Sequence, residues 1–99
     1  MLKVEFHERG NVLTLRMEGR FVGEFATDVR DVFTKGKVAS GLIVDVSEVS
    51  FVDAVGEEVL SWLGRIGALF LADTAYSSDV CKRLHLPLAK RVHHLSRAM

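Results

Sequence analysis

Apolar and polar residues alternate over the first part of the chain: Leu2, Val4 and Phe6 are separated by Lys3 and Glu5, and Leu13, Leu15 and Met17 by Thr14 and Arg16. A period of two belongs to a strand with one covered face, and Arg9-Gly10-Asn11 between the runs supplies a tight turn, so an antiparallel hairpin is predicted. After a loop at Gly19 to Gly23 the period lengthens. Phe25/Ala26, Val29 and Val32/Phe33 recur at helical spacing, and Lys35-Gly36-Lys37 brings the cations and glycine that end a helix, predicted over about 25–35.

Leu42-Ile43-Val44-Asp45-Val46 is then a β-branched run of the kind found in strands covered on both faces, which places it centrally in a sheet. Val59, Trp62, Leu63 and Ile66 follow at i, i+3, i+4 and i+7 and predict a second helix starting near Val55 or Gly56, with Glu57, Glu58, Ser61 and Arg65 on its solvent face. Asp53 stands where a cap belongs, and the glutamates occupy the first turn, where the helix dipole favours negative charge by roughly 0.3–1 kcal/mol each. Ala68 to Ala72 reads as another short strand, and Ser77 or Ser78 as the cap of a third helix through about Leu84. Pro87 marks a boundary before Leu88, Val92, Leu95 and Met99, one stripe of a last helix whose other face carries Lys90, Arg91, His93, His94 and Arg97. The order β-β-α-β-α-β-α-α requires an α/β fold with a mixed sheet, because strand–helix–strand crossovers join parallel neighbours while the hairpin is antiparallel.

Composition narrows the class. With 99 residues, 48% hydrophobic and 26% charged, the chain suits one domain over residues 1–99, with no internal repeat or linker. Its 13 Lys+Arg balance 13 Asp+Glu, so no overall field draws nucleic acid or an anionic membrane. The charge is uneven, however: residues 1–81 hold 8 basic and 13 acidic residues, and residues 82–99 hold 5 basic and none acidic. No apolar run reaches the roughly 18–20 residues of a membrane span, and Met-Leu-Lys-Val-Glu-Phe is a strand pattern unlike a signal peptide, so the expected compartment is the cytoplasm. The lone Cys81 fits a reducing compartment and is expected to be a small buried hydrophobe.

Catalytic chemistry finds little support. The glycines form neither GxGxxG nor GxxxxGK[ST], and His93 and His94 point about 100° apart on a helix, unlike an i, i+4 metal pair. Asp45, Asp53, Glu57 and Glu58 are explained by a strand, a loop and a helix start, and the basic C-terminal stretch lacks interleaved aromatics. No enzyme activity, catalytic residue, metal, cofactor or nucleic-acid partner is expected.

The segment from Leu42 to Leu60, with Asp45-Val46-Ser47 ending a strand and Phe51-Val52-Asp53-Ala54-Val55-Gly56 opening a helix, resembles the signature of the STAS domain (sulphate transporter and anti-sigma factor antagonist). There the strand ends in Asp-Leu-Ser and the helix opens with Phe-Ile-Asp-Ser-Ser-Gly. Arg16 to Phe21 and Ser78 to Leu86 resemble the family's second strand and later helix, so the likeness covers nearly the whole chain. The resemblance implies a protein-interaction module whose partner-binding face is the loop and helix at about residues 53–65. In bacterial members, which regulate transcription, the partner is commonly a kinase-like anti-sigma factor. It phosphorylates a Ser or Thr just before the glycine, and the added dianion dissociates the complex. Here Val55 takes that position, Ala54 the one before it, and Val22 stands where many phosphorylated members carry Asp. A docking module similar to an anti-sigma factor antagonist, without the phosphoswitch at residue 55, is therefore expected. Asp53 would cap the helix and Gly56 would permit close approach of backbone or partner. Ala54 and Val55 would give apolar contact, and Glu57, Glu58, Ser61 and Arg65 polar contact. Ser50 and Ser61 are the alternative hydroxyls within reach, while Ser47 is expected to organise the turn after the strand. The alternative reading is a structural STAS subunit of a sensory assembly or transporter complex, for which a homo-oligomer is possible.

Overall fold

A computed structural model describes residues 1–35 and 41–89. The alternating N-terminal runs form β1 (Leu2–Arg9) and β2 (Val12–Phe21), antiparallel from Leu2↔Gly19 to Arg9↔Val12. Gly10 closes their turn at φ +62°, a left-handed conformation that glycine adopts without a Cβ penalty. Then follow α1 (Gly23–Lys35), β3 (Gly41–Val52), α2 (Ala54–Arg65), β4 (Leu69–Leu71) and α3 (Ala75–Arg83). The sheet runs β1-β2-β3-β4, with β3 parallel to both of its neighbours. It is the mixed α/β sheet expected, with the hairpin at one side.

One core cluster joins Leu15, Met17, Val44 and Phe70 of the sheet to Val29 and Phe33 of α1, Leu60 and Leu63 of α2, and Val80 and Cys81 of α3. Among the described residues one sheet face carries it. Leu42, Val44 and Val46 are buried whereas Ile43 and Asp45 are half-buried, so the expectation that this strand is covered on both faces does not hold. β3 is central all the same, and longer than its β-branched run. Its register with β2 jumps from Arg16↔Asp45 to Glu18↔Glu48, so Val46 and Ser47 together face Met17 in a bulge. The Ser47 N–H donates to Asp45 Oδ1 at 3.0 Å, while the Ser47 hydroxyl is buried without a partner. Asp45 therefore shapes this kink, and Ser47 lies within the strand, not in a turn after it.

The helix ends bring further corrections. The first helix begins at Gly23, two residues before the expected start, because Val22 C=O already accepts from the N–H groups of Phe25 and Ala26. The cap of α3 is Thr74, not Ser77 or Ser78: Ser77 N–H donates to Thr74 Oγ1 at 3.0 Å and Thr74 N–H to Ser77 Oγ at 3.1 Å, a reciprocal capping box. Leu88, expected to open the last helix, instead bridges Phe70 in parallel. Phe70 N–H donates to Pro87 C=O and Ala89 N–H to Phe70 C=O, each at 2.8 Å. The remainder of that expected helix, with Lys90, Arg91, Val92, His93, His94, Leu95, Arg97 and Met99, lies outside the described residues, as do Gly36 and Lys37.

Candidate functional site

The end of β3 and the start of α2 meet at Asp53. Its backbone is extended, its Oδ1 accepts from Gly56 N–H at 2.8 Å, and it is the N-cap expected. Its second oxygen is also occupied: Oδ2 accepts from Gly23 N–H, the first residue of α1, at 3.1 Å. One carboxylate thus ties two helix N-termini together, where both dipoles favour it. Just before it, Val52 N–H donates to the Tyr76 hydroxyl at 2.8 Å, which fastens the loop to α3.

Gly56 is buried. A Cβ there would collide with the Phe21 carbonyl oxygen and lie 2.8 Å from Val52 Cγ1. Of the two roles expected for this glycine, close approach of backbone is the one its burial shows. Of the other residues expected at this site, Ala54, Val55 (39% exposed), Glu58 and Arg65 are exposed, and Glu57 and Ser61 are half-buried. Glu57 is already engaged, accepting from Arg83 at 2.8 Å, and this pair raises the Arg83 guanidinium pKa through its hydrogen bond and its charge. Ser50 is exposed, so both alternative hydroxyls are reachable.

A groove of 510 Å³ follows α2, walled by Glu58, Ser61, Trp62 and Arg65 and closed on the α1 side by Arg30. The Arg30 guanidinium lies 5.6 Å from the centre of the half-buried Trp62 ring. Arg20 covers Phe51 in the same way, at 5.0 Å, with Phe51 42% exposed beside the loop. Sequence reading missed Arg30, Arg20 and Phe51 as parts of this surface. Arg30 reaches it only through the packing of α1 on α2, for which the chain carries no local signal. Phe51 did carry one, an aromatic next to the Asp53 cap. Among the described residues no group of three or more His, Cys, Asp or Glu could hold a metal ion, and no helix is long and apolar enough to cross a membrane.

Neither a protein-family profile nor a curated protein sequence matches the chain. Solved structures do. The anti-sigma factor antagonist SpoIIAA in its unphosphorylated form is 14% identical with a TM-score of 0.69, over 96% of this chain and 95% of that one. An anti-sigma factor antagonist from Mycobacterium paratuberculosis is 14% identical with a TM-score of 0.72, over 99% and 93%. The murine Slc26a9 anion transporter in the inward-facing state is 19% identical with a TM-score of 0.58, over 94% of this chain but 19% of that one. The chain has the STAS fold, in the element order the sequence implied as far as α3.

Proposed function

We propose that this chain is a non-enzymatic, cytoplasmic docking module of the anti-sigma factor antagonist kind, which presents the loop and helix at about residues 53–65 to a kinase-like anti-sigma factor. The observation that carries the reading is the first turn of α2: held rigidly by Asp53 between two helix starts, it projects Ala54, Val55 and Glu58 into solvent. Preorganised apolar and charged groups at one exposed spot suit protein recognition, because little ordering entropy remains to be lost on binding. Its likeness in fold, along nearly their whole length, to two anti-sigma factor antagonists supports the choice of partner. Val55 has no hydroxyl, so the module is not switched at this position. A second reading, a fixed STAS part of a transporter or sensory assembly, is favoured by the likeness to one segment of the Slc26a9 transporter.

The test is capture from source-cell lysate with wild type and with Glu58→Lys, the folding of both checked by circular dichroism. Identification of a kinase-like anti-sigma factor with wild type, and its loss with Glu58→Lys, is the expected result. Recovery of transporter or sensory-assembly subunits replaces the first reading with the second. Undiminished capture by Glu58→Lys moves the interface off α2. Phosphate on Ser50 or Ser61 with loss of partner overturns the unswitched reading.

A further inference from the structure

Among the described residues, one long edge of the sheet is unpaired. β1 bonds to β2 on one side only. Arg20 N–H donates to Met1 C=O at 3.2 Å, so odd-numbered residues here turn their amides toward β2, and strict alternation turns the N–H and C=O of Leu2, Val4 and Phe6 outward. Beside this edge an apolar groove of 290 Å³ lies between β1 and α1, where Phe6 is 48%, Phe25 42% and Val32 52% exposed. A free edge next to exposed apolar side chains is an arrangement that natural sheets cover, blunt or use for pairing.

We propose that a second copy of this chain pairs with it, β1 against β1 about a two-fold axis at Val4, to form one continuous sheet of two four-stranded halves. In this register Leu2 lies opposite the partner's Phe6 and Val4 opposite the partner's Val4, all with outward-facing amides. On the helix side these pairs join the two apolar grooves, and Phe25 and Val32 of each copy flank them. On the open side Lys3 lies opposite the partner's Glu5.

The charge pattern favours this register over those centred on Lys3, Glu5 or Phe6. Asp45, Arg16 and Glu5 are cross-strand neighbours on β3, β2 and β1, and Lys3 is the neighbour of Glu18. Pairing at Val4 continues the row Asp45, Arg16, Glu5 into the partner's Lys3 and the partner's Glu18, so the sign alternates from β3 of one copy to β2 of the other. An axis at Lys3 or at Glu5 sets that residue against its own copy, and an axis at Phe6 sets Lys3 against the partner's Arg9. Within one copy Lys3 Nζ lies 3.7 Å from Glu5 Oε2 and His7 Nε2 lies 3.6 Å from Glu5 Oε1, with the Lys3 side chain exposed and Glu5 half-buried. The pairing leaves the Glu58 side of α2 open, so it is compatible with the docking proposed above and independent of it.

Sedimentation equilibrium of the full chain tests the pairing. Wild type is expected at about twice 11.0 kDa. Lys3→Glu and Glu5→Lys are each expected at the single-chain mass, and the double variant Lys3→Glu/Glu5→Lys at the doubled mass again. An equimolar mixture of the two single variants is expected to pair as well, because each supplies the charge that the other lacks. Val32→Lys, on an exposed position of α1, is expected to be single without touching the strand; circular dichroism checks the fold of each variant. A wild type of single-chain mass at its highest soluble concentration overturns the proposal. So does a pair that survives both single reversals, or a double variant that does not recover.

Discussion

Gly23 donates its N–H to Asp53 Oδ2 at 3.1 Å across thirty residues of chain, while Gly56 holds the other oxygen at 2.8 Å. The loop that opens α2 is therefore fixed from two sides, and a cap legible in the sequence is also a tertiary clamp. Asp53→Ala removes both acceptors and is expected to cost about 2 kcal/mol, the sum of an N-cap and a charge-assisted bond. Asp53→Asn keeps an oxygen for Gly56 and is expected to cost about half as much. Urea unfolding measures both, and an Asp53→Asn protein as stable as wild type would show that the Gly23 bond contributes nothing.

Two glycines of α2 should respond with opposite signs. Gly56→Ala drives a methyl into the Phe21 carbonyl and is expected to destabilise the fold by at least about 2 kcal/mol. At Gly64 an added Cβ meets Leu86 Cδ2 at 3.5 Å and Pro87 Cδ at 3.6 Å, which is ordinary contact. Gly64→Ala is therefore expected to stabilise by about 0.5–1 kcal/mol through helix propensity. Thermal midpoints moving in opposite directions would confirm the pair; a harmless Gly56→Ala would refute the close approach.

Restoring a hydroxyl at residue 55 examines the missing switch. Val55 is 39% exposed in the first turn of α2, so Val55→Ser is expected to fold normally. Incubated with the captured kinase-like partner and ATP, it should gain one phosphate by mass spectrometry and release the partner, whereas wild type should gain none at this residue. A Val55→Ser protein that stays unmodified in an active complex would place the partner's catalytic groups elsewhere.

Burial pushes the Cys81 thiol up to about 11 from 9.0. The folded chain holds this proton more tightly than the unfolded chain, so the contribution is complete below about pH 9 and is lost as pH rises towards 11. A tenfold difference in proton affinity between the two states is worth about 1.4 kcal/mol. Wild type is thus expected to lose more stability than Cys81→Val between pH 9 and 11, by about 2 kcal/mol, in parallel urea titrations. Identical pH profiles would place the thiol in contact with water.

Local patterns announced the hairpin, α2 and the Asp53 cap, because alternation, helical spacing and cap chemistry act over a few residues. Features set by distant partners were harder to read. The bulge at Val46 and Ser47 puts both side chains inward, which a continuous β-branched run does not distinguish from a strand covered on both faces. Thr74 is hidden as a cap because Ser77, an equally good capping residue, serves as its reciprocal partner at the third helical position. Within the site, Glu58 is exposed as the helical period required, whereas Val55, four residues before the buried Val59, is exposed against that period, and the inward role of Gly56 depends on the Phe21 carbonyl, far away in sequence. Arg83 reaches Glu57 across twenty-six residues, and no spacing rule foretells such a contact.

The short crossing of Pro87, Leu88 and Ala89 over Phe70 has a consequence for assembly. It occupies the outer backbone of β4, itself only three residues long, so among the described residues the two borders of the sheet are unequal: one is stoppered by the chain's own return and the other is bare. A molecule with a single adhesive border can close with one neighbour and then has nothing left to offer a third. The same few residues that finish the sheet therefore guard this chain against end-to-end growth into fibres.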